Sequence, residues 1–219
     1  MTLTEAITQR HSVRSFSDKK IDALTAKELQ NLIDECNGKS GFNIQLFIDE
    51  PCAFSTRMAH YGNFVNCKNY LAMIGPKKNE ENCGYFGEQL VIKAQQLGLN
   101  SCWVALSYGK SKVPCRIPSG QKLYAVIALG YGQNQGIAHK SKSMDELCVA
   151  DGEMPQWFRN GMTAAMLAPT AVNQQKFLFT LDRDTVRAEA LRGFYSKIDL
   201  GIVKYHFEIG AGDAGFKWA

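Results

Sequence analysis

The stretch that most constrains this chain is Ala168-Pro169-Thr170-Ala171-Val172-Asn173-Gln174-Gln175-Lys176-Phe177, because a second version stands far upstream at Ser40-Gly41-Phe42-Asn43-Ile44-Gln45-Leu46-Phe47. Both read hydroxyl residue, small residue, apolar residue, Asn, any residue, Gln. Each follows an apolar-periodic run of helical spacing and leads into an alternating run of strand spacing. Pro169 fixes φ and cannot continue a helix, and Gly41 is free to take positive φ, so both copies are read as turns. A turn offering backbone N–H groups, a hydroxyl and a carboxamide suits the polar edge of a planar ligand.

A second echo follows in the same order. Gly201 to Ala211 and on to Gly215-Phe216 repeats the spacing of Gly84 to Ala94 and on to Gly98-Leu99. Two motifs repeated in one order point to internal duplication. The expected halves are residues 1–143 and 144–219.

Composition removes several classes. The net charge is +4 with Lys and Arg dispersed, and no basic stripe with interleaved aromatics suggests nucleic acid. Seven cysteines make no C-x-x-C pair. That odd count argues for a reducing compartment over a disulfide scaffold, and with four dispersed histidines it argues against zinc. No run is long and apolar enough to span a bilayer, and the N-terminus is too polar for a signal peptide. A cytoplasmic protein with no membrane partner is expected.

Along the chain, periodicity predicts a short helix capped by Thr4 and running through Gln9, and helices over Ala26 to Cys36 (capped by Thr25), Gly84 to Leu97 and Gln156 to Leu167. Strands are predicted near Gln45–Ile48, Tyr70–Gly75, Ser101–Leu106, Leu123–Tyr131 and Phe177–Leu181. The unbroken apolar run of Leu123–Tyr131 implies burial on both faces. Residues 51–68 read as irregular, 132–143 as a polar linker, and 184–195 as a short helix or loop.

Arg10-His11-Ser12-Val13-Arg14-Ser15-Phe16 interrupts the first helical pattern. If extended, it places Arg10, Ser12 and Arg14 on one side. Guanidinium forks bind phosphate bidentately; equally, this could be a surface strand whose arginines pair with carboxylates. No nucleophile elbow, no phosphate-loop Lys-Ser/Thr and no paired carboxylates at a cleft motif are present. Phosphate donors and a polar turn without an acid/base pair fit an enzyme whose cofactor performs the chemistry.

These segments resemble, in order, motifs of the nitroreductase family of FMN-dependent oxidoreductases. Arg10–Phe16 is similar to its R-x-S-x-R-x-F, Ala168–Phe177 to its A-P-S-x-x-N-x-Q-P-W, and Gly84–Trp103 to its long helix ending in G-L-x-S/T-x-W. Leu123–Gly132, the following basic residues and Met144-Asp145-Glu146-Leu147 resemble its late strand, R-K pair and L-E-E segment. Members are usually homodimers holding each flavin between subunits. The duplicated turn here looks like the branch in which one chain imitates the dimer, the TM nitroreductase type. The resemblance implies an α+β fold with a central, mostly antiparallel sheet flanked by helices.

It also implies site residues. Arg10, His11, Ser12 and Arg14 would hold the FMN phosphate and ribityl chain and reach the pyrimidine edge, and Pro169, Thr170, Ala171 and Asn173 would line the cofactor from the other half. Val104, Ala105 and Leu106 would face the flavin ring through backbone N–H groups. Lys140 and Lys142 match the basic pair and would complete the phosphate site, or are solvated linker lysines. Gln175 is read as tying down its own turn, and His206 as a packed or solvated helix histidine. Only the first half carries an Arg-Ser-Arg segment, so one flavin per chain is expected, and the first turn, with Lys39 where the family has Pro, is expected to have lost its cofactor role. Both turns lack the Pro-Trp after Gln.

The activity so implied is ping-pong electron transfer from NAD(P)H through FMN to a small acceptor such as a nitroaromatic or quinone, with no catalytic side chain named. The alternative is a flavin-binding protein of the same fold with little turnover. A third keeps the fold and changes the reaction, as in dehalogenating or flavin-cleaving relatives. A monomer or a weak homodimer is expected.

Overall fold

The computed structural model describes residues 1–219. In chain order the elements are α1 (Leu3–Gln9), α2 (Ala23–Ser40), β1 (Gln45–Phe47), α3 (Arg57–Tyr61), β2 (Asn69–Pro76), α4 (Glu80–Gln96) and β3 (Asn100–Val104). There follow β4 (Gln121–Gly130), β5 (Cys148–Ala150), α5 (Gln156–Ala165), β6 (Phe177–Asp182), β7 (Thr185–Ala190), α6 (Ser196–Ala211) and β8 (Lys217–Trp218). This is an α+β chain. It forms two compact units: Arg10–Asn79 with Gln89–Ala138, and Met1–Gln9 with Glu80–Glu88 and His139–Ala219.

The first unit is built on an antiparallel sheet of order β1-β2-β4-β3. The central strands β2 and β4 are buried along nearly their whole length, as the unbroken apolar run predicts. On one face Val13, Phe16, Phe54, Phe64, Tyr70 and Val126 form a closed apolar cluster. α2 brings Leu29, Ile33 and Cys36 into the interior, and Lys93 on the second half of α4 meets Glu28 at 2.9 Å. The helix α2 begins earlier than the sequence suggests and runs further. Asp22, not Thr25, caps it, accepting the Leu24 and Thr25 N–H groups. Asn37-Gly38 does not end it; Gly41 does, at φ +70°, the left-handed stop that glycine supplies without strain. Residues 51–68 are more ordered than expected: Thr56 caps the short α3 through the Ala59 N–H.

The second unit carries a mixed sheet of order β5-β6-β7-β8, with β6 and β7 antiparallel and the two outer pairings parallel. Its core is aromatic. Phe207 on α6 stacks on Phe179 of β6 at 4.9 Å, and meets Phe158 of α5 and Phe216 at 5.4 Å each. Thr185–Ala190, expected to be helix or loop, is a strand. Arg183 turns the chain at φ +57°, and pairing with β6 overrides the poor strand propensity of Ala and Glu. Cap chemistry also differs at α1, where the Thr2 hydroxyl, not Thr4, accepts the Glu5 N–H.

The two echoed helices meet inside this unit. A Cβ added to Gly84 would stand 1.9 Å from the Ile198 carbonyl oxygen, and one added to Gly201 would stand 1.9 Å from that of Glu81. Each glycine faces the carbonyl of the residue three before the other, so the contact is reciprocal. Nearby, His206 and Glu88 are fully buried. The Nε2 of His206 lies 2.9 Å from Glu88 Oε1, and its Nδ1 lies 3.2 Å from the Ala164 carbonyl. Of the two readings left for this histidine, packed is the one observed.

Candidate functional site

Arg10–Phe16 is extended and bound on several sides within the first unit. Ser12 bridges Ser101 in parallel on the outer edge of β3, and Val13 N–H donates to the Ser101 carbonyl at 3.0 Å. Val65 donates to Arg14 and Phe16 donates to Val65, at 2.9 and 3.0 Å. The loop after β4 closes the other side, with Ser15 donating to Gln133 at 2.7 Å. Buried Asn100 holds that loop, accepting Gly132 N–H and donating to Gln135. Gly136 takes φ +72°, and a Cβ there would stand 2.7 Å from His11 Cβ, so the close approach of loop and segment requires glycine.

Extension does not put both arginines in one environment. Arg10 is 4 % exposed, whereas Ser12 and Arg14 are exposed, His11 is half-buried and Val13 lies in the core. Arg14 makes no ion pair; its guanidinium rests 5.9 Å from the Phe64 ring centre. The alternative of arginines neutralised by carboxylates therefore fails at Arg14. Positive charge is felt below it: burial pushes the Cys102 thiol up, opposed by the charge of Arg14, the Ser12 hydroxyl and Arg10. Because β3 carries Ser12 on its edge and ends at Val104, the strand end and the following Ala105 and Leu106 belong to the same neighbourhood. Val104 is buried, Ala105 half-buried and Leu106 66 % exposed.

The other expected residues are brought together in the second unit. Asn173 donates to the Lys140 carbonyl at 3.0 Å, and Gln175 donates to the same oxygen at 3.1 Å. Lys142 N–H donates to Gln175 Oε1 at 2.8 Å, and its Nζ reaches the Gln175 carbonyl at 3.4 Å. Thr170 Oγ1 accepts Gln175 N–H at 3.1 Å. The carboxamides of the turn thus fix the basic Lys140–Lys142 loop against Pro169–Asn173. In the first copy Asn43 and Gln45 donate to the carbonyl of Arg116, and Arg116 N–H donates back to Gln45. The repeated Asn-x-Gln makes the same clamp twice.

Between Thr170 and Gln175 the backbone is unusual. Val172, Asn173 and Gln175 have φ of 47°, 54° and 47°, the left-handed region that β-branched residues avoid. Asp199, not anticipated from the sequence, sits beneath. Its Oδ1 accepts Ala171 N–H at 3.0 Å and its Oδ2 accepts Gln174 Nε2 at 2.8 Å. Burial pushes its carboxyl up to about 6, partly offset by those two hydrogen bonds. No signal near Ile198–Gly201 marks it; only Gln174, polar where the first copy has Ile44, hints at a partner.

The chain aligns with a "putative nitroreductase" from Thermotoga maritima MSB8 at a TM-score of 0.67 and 20% identity, covering 96% of this chain and 83% of that one. A "putative nitroreductase in complex with FMN" from a Desulfovibrio desulfuricans subspecies gives 0.56 at 15% identity, covering 71% and 99%. A nitroreductase family protein from Streptococcus pneumoniae TIGR4 gives 0.52 at 15%, covering 66% and 98%. These likenesses establish the nitroreductase fold. Among curated proteins none matches in sequence. The family profile described as "Putative TM nitroreductase" matches residues 2–211, and the chain belongs to that family.

Proposed function

We propose that the protein is an FMN-dependent oxidoreductase that takes electrons from NAD(P)H and delivers them to a small acceptor of the nitroaromatic or quinone kind. The observation that carries this reading is Arg14: an exposed guanidinium without a carboxylate, beside the exposed Ser12 and held rigidly on the edge of β3. Such a donor set suits a phosphate monoester. Arg10, His11, Ser12 and Arg14 would bind the phosphate and ribityl chain, with Lys140 and Lys142 adding positive charge. Val104, Ala105 and Leu106, and Pro169, Thr170, Ala171 and Asn173, would offer backbone and apolar surface to the ring. Bound there, FMN would supply the two-electron redox chemistry. The side chains bind, orient and exclude water, and none is needed as a nucleophile.

The chain would work as two related halves, residues 1–143 and 144–219, and as a monomer with one flavin. The reciprocal Gly84–Gly201 contact and the twice-made Asn-x-Gln clamp support that duplication.

Arg14→Ala tests the reading. FMN affinity is expected to fall about tenfold or more, the loss of one charge-assisted hydrogen bond. Binding of riboflavin, which lacks the phosphate, stays as in the unaltered protein. Protein that neither retains nor takes up FMN overturns the proposal. A second reading, a flavin-binding protein with little turnover, draws on the turn itself, whose Thr170 hydroxyl and Asn173 amide are engaged by the chain's own backbone. Steady-state NAD(P)H oxidation with menadione separates the two.

A further inference from the structure

The two turns share one device and differ in another. Both clamp a neighbouring loop through Asn and Gln. Only the second rests on a buried carboxylate. Where the first turn has the buried, apolar Ile44, the second has Gln174, whose amide donates to Asp199 at 2.8 Å. Asp199 is 3 % exposed near the start of α6, and burial has pushed its carboxyl to about 6. The charged form is therefore disfavoured where it sits, and an apolar residue would suit that interior better. What the carboxylate holds is a strained segment. Val172 is left-handed, β-branched and 88 % exposed, so neither packing nor the freedom of glycine accounts for its conformation. The first turn needs no such support, because its left-handed residue is Gly41.

We infer that Asp199 is a positioning residue: by holding Ala171 N–H and the Gln174 amide on either side of Val172–Asn173, it keeps that pair left-handed and presents its backbone to the bound flavin. This rests on the reading above, in which the second turn lines FMN. At 3 % exposure Asp199 would touch neither cofactor nor substrate; it acts through the turn.

Asp199→Asn is nearly isosteric and would place an amide N–H against that of Gln174. Two measurements follow on the full chain: FMN affinity by fluorescence quenching, and hydrogen–deuterium exchange of the Ala171 amide without flavin. Asp199→Asn should weaken FMN about tenfold and lower Ala171 protection to a similar degree, without a lower melting temperature at neutral pH. Adding Val172→Gly, which removes the cost of the left-handed conformation, should bring FMN affinity back to within about threefold of the unaltered protein.

Unchanged affinity and unchanged protection in Asp199→Asn would overturn the inference. So would an affinity loss that tracks a lower melting temperature and is not restored by Val172→Gly, since that pattern belongs to a residue that only maintains the fold. If the unaltered protein binds no FMN, the flavin reading fails, and with it the claim that the turn is presented to a flavin. Loss of Ala171 protection in Asp199→Asn would still support the hold of Asp199 on the turn.

Discussion

Asp199 carries its charge in an interior that disfavours charge, and the sign of the pH effect follows. Its folded carboxyl titrates at about 6 against an ordinary 3.8, so folding takes up a proton between those values. The associated stability is complete below about pH 3.8 and disappears as pH rises through 6. Urea unfolding of the unaltered protein and of Asp199→Asn across pH 4–7 should differ by a quantity that falls by roughly 2–3 kcal/mol over the window. A flat difference would mean that the carboxylate is not desolvated. At this scale the sequence was uneven. Gln175 could be read as a turn clamp because it recurs at Gln45 in the same frame. Asp199 could not, since its partners are 25 and 28 residues away and an isolated aspartate on a helix is ordinarily solvated.

Among the elements, α4 and α6 depend on having no side chain where they cross. Gly84→Ala or Gly201→Ala drives a methyl carbon to within 1.9 Å of a backbone oxygen, and neither helix can retreat without disturbing the buried His206–Glu88 pair. Either variant should lose several kcal/mol by chemical unfolding, or fail to accumulate as folded protein. Gly38→Ala is the control: it lies inside α2 with open space where its Cβ would be, and should gain about 0.5–1 kcal/mol. Equal losses at both positions would remove the close-crossing argument. Helix and strand cores were legible because long periodic runs dominate them. Ends were not, because caps are decided by single contacts: Asp22 outcompeted Thr25, and Gly41 outlasted Asn37-Gly38. The β7 strand was hidden because its Ala and Glu residues prefer other conformations until β6 pairs with them.

Across the whole molecule, the seven thiols report on how tightly each unit is closed. Cys52 is exposed, Cys115 half-buried and the other five buried. A native-state thiol reagent should label Cys52 first and Cys115 more slowly, leaving five for reaction only on denaturation. The hydrogen bond and charge of Glu50 push the Cys52 thiol up, so even its reaction should be slower than that of a free peptide thiol at the same pH. Prompt labelling of Cys67 or Cys102 would mean that the first unit opens under native conditions. The fold class was legible at this level, since the motifs occur in family order. The composition of each unit was not: each draws on separated parts of the chain, which no local pattern announces.

Gly84 and Gly201 form each other's back wall, and that has a bearing on how such a chain can drift. Mutation at either position is constrained by the main chain of the opposite helix rather than by any replaceable side group, so compensating changes elsewhere cannot relieve it. Exposed side chains, by contrast, are free to diverge. The likeness of the two motifs should therefore persist longest at this crossing, where there is nothing left to trim.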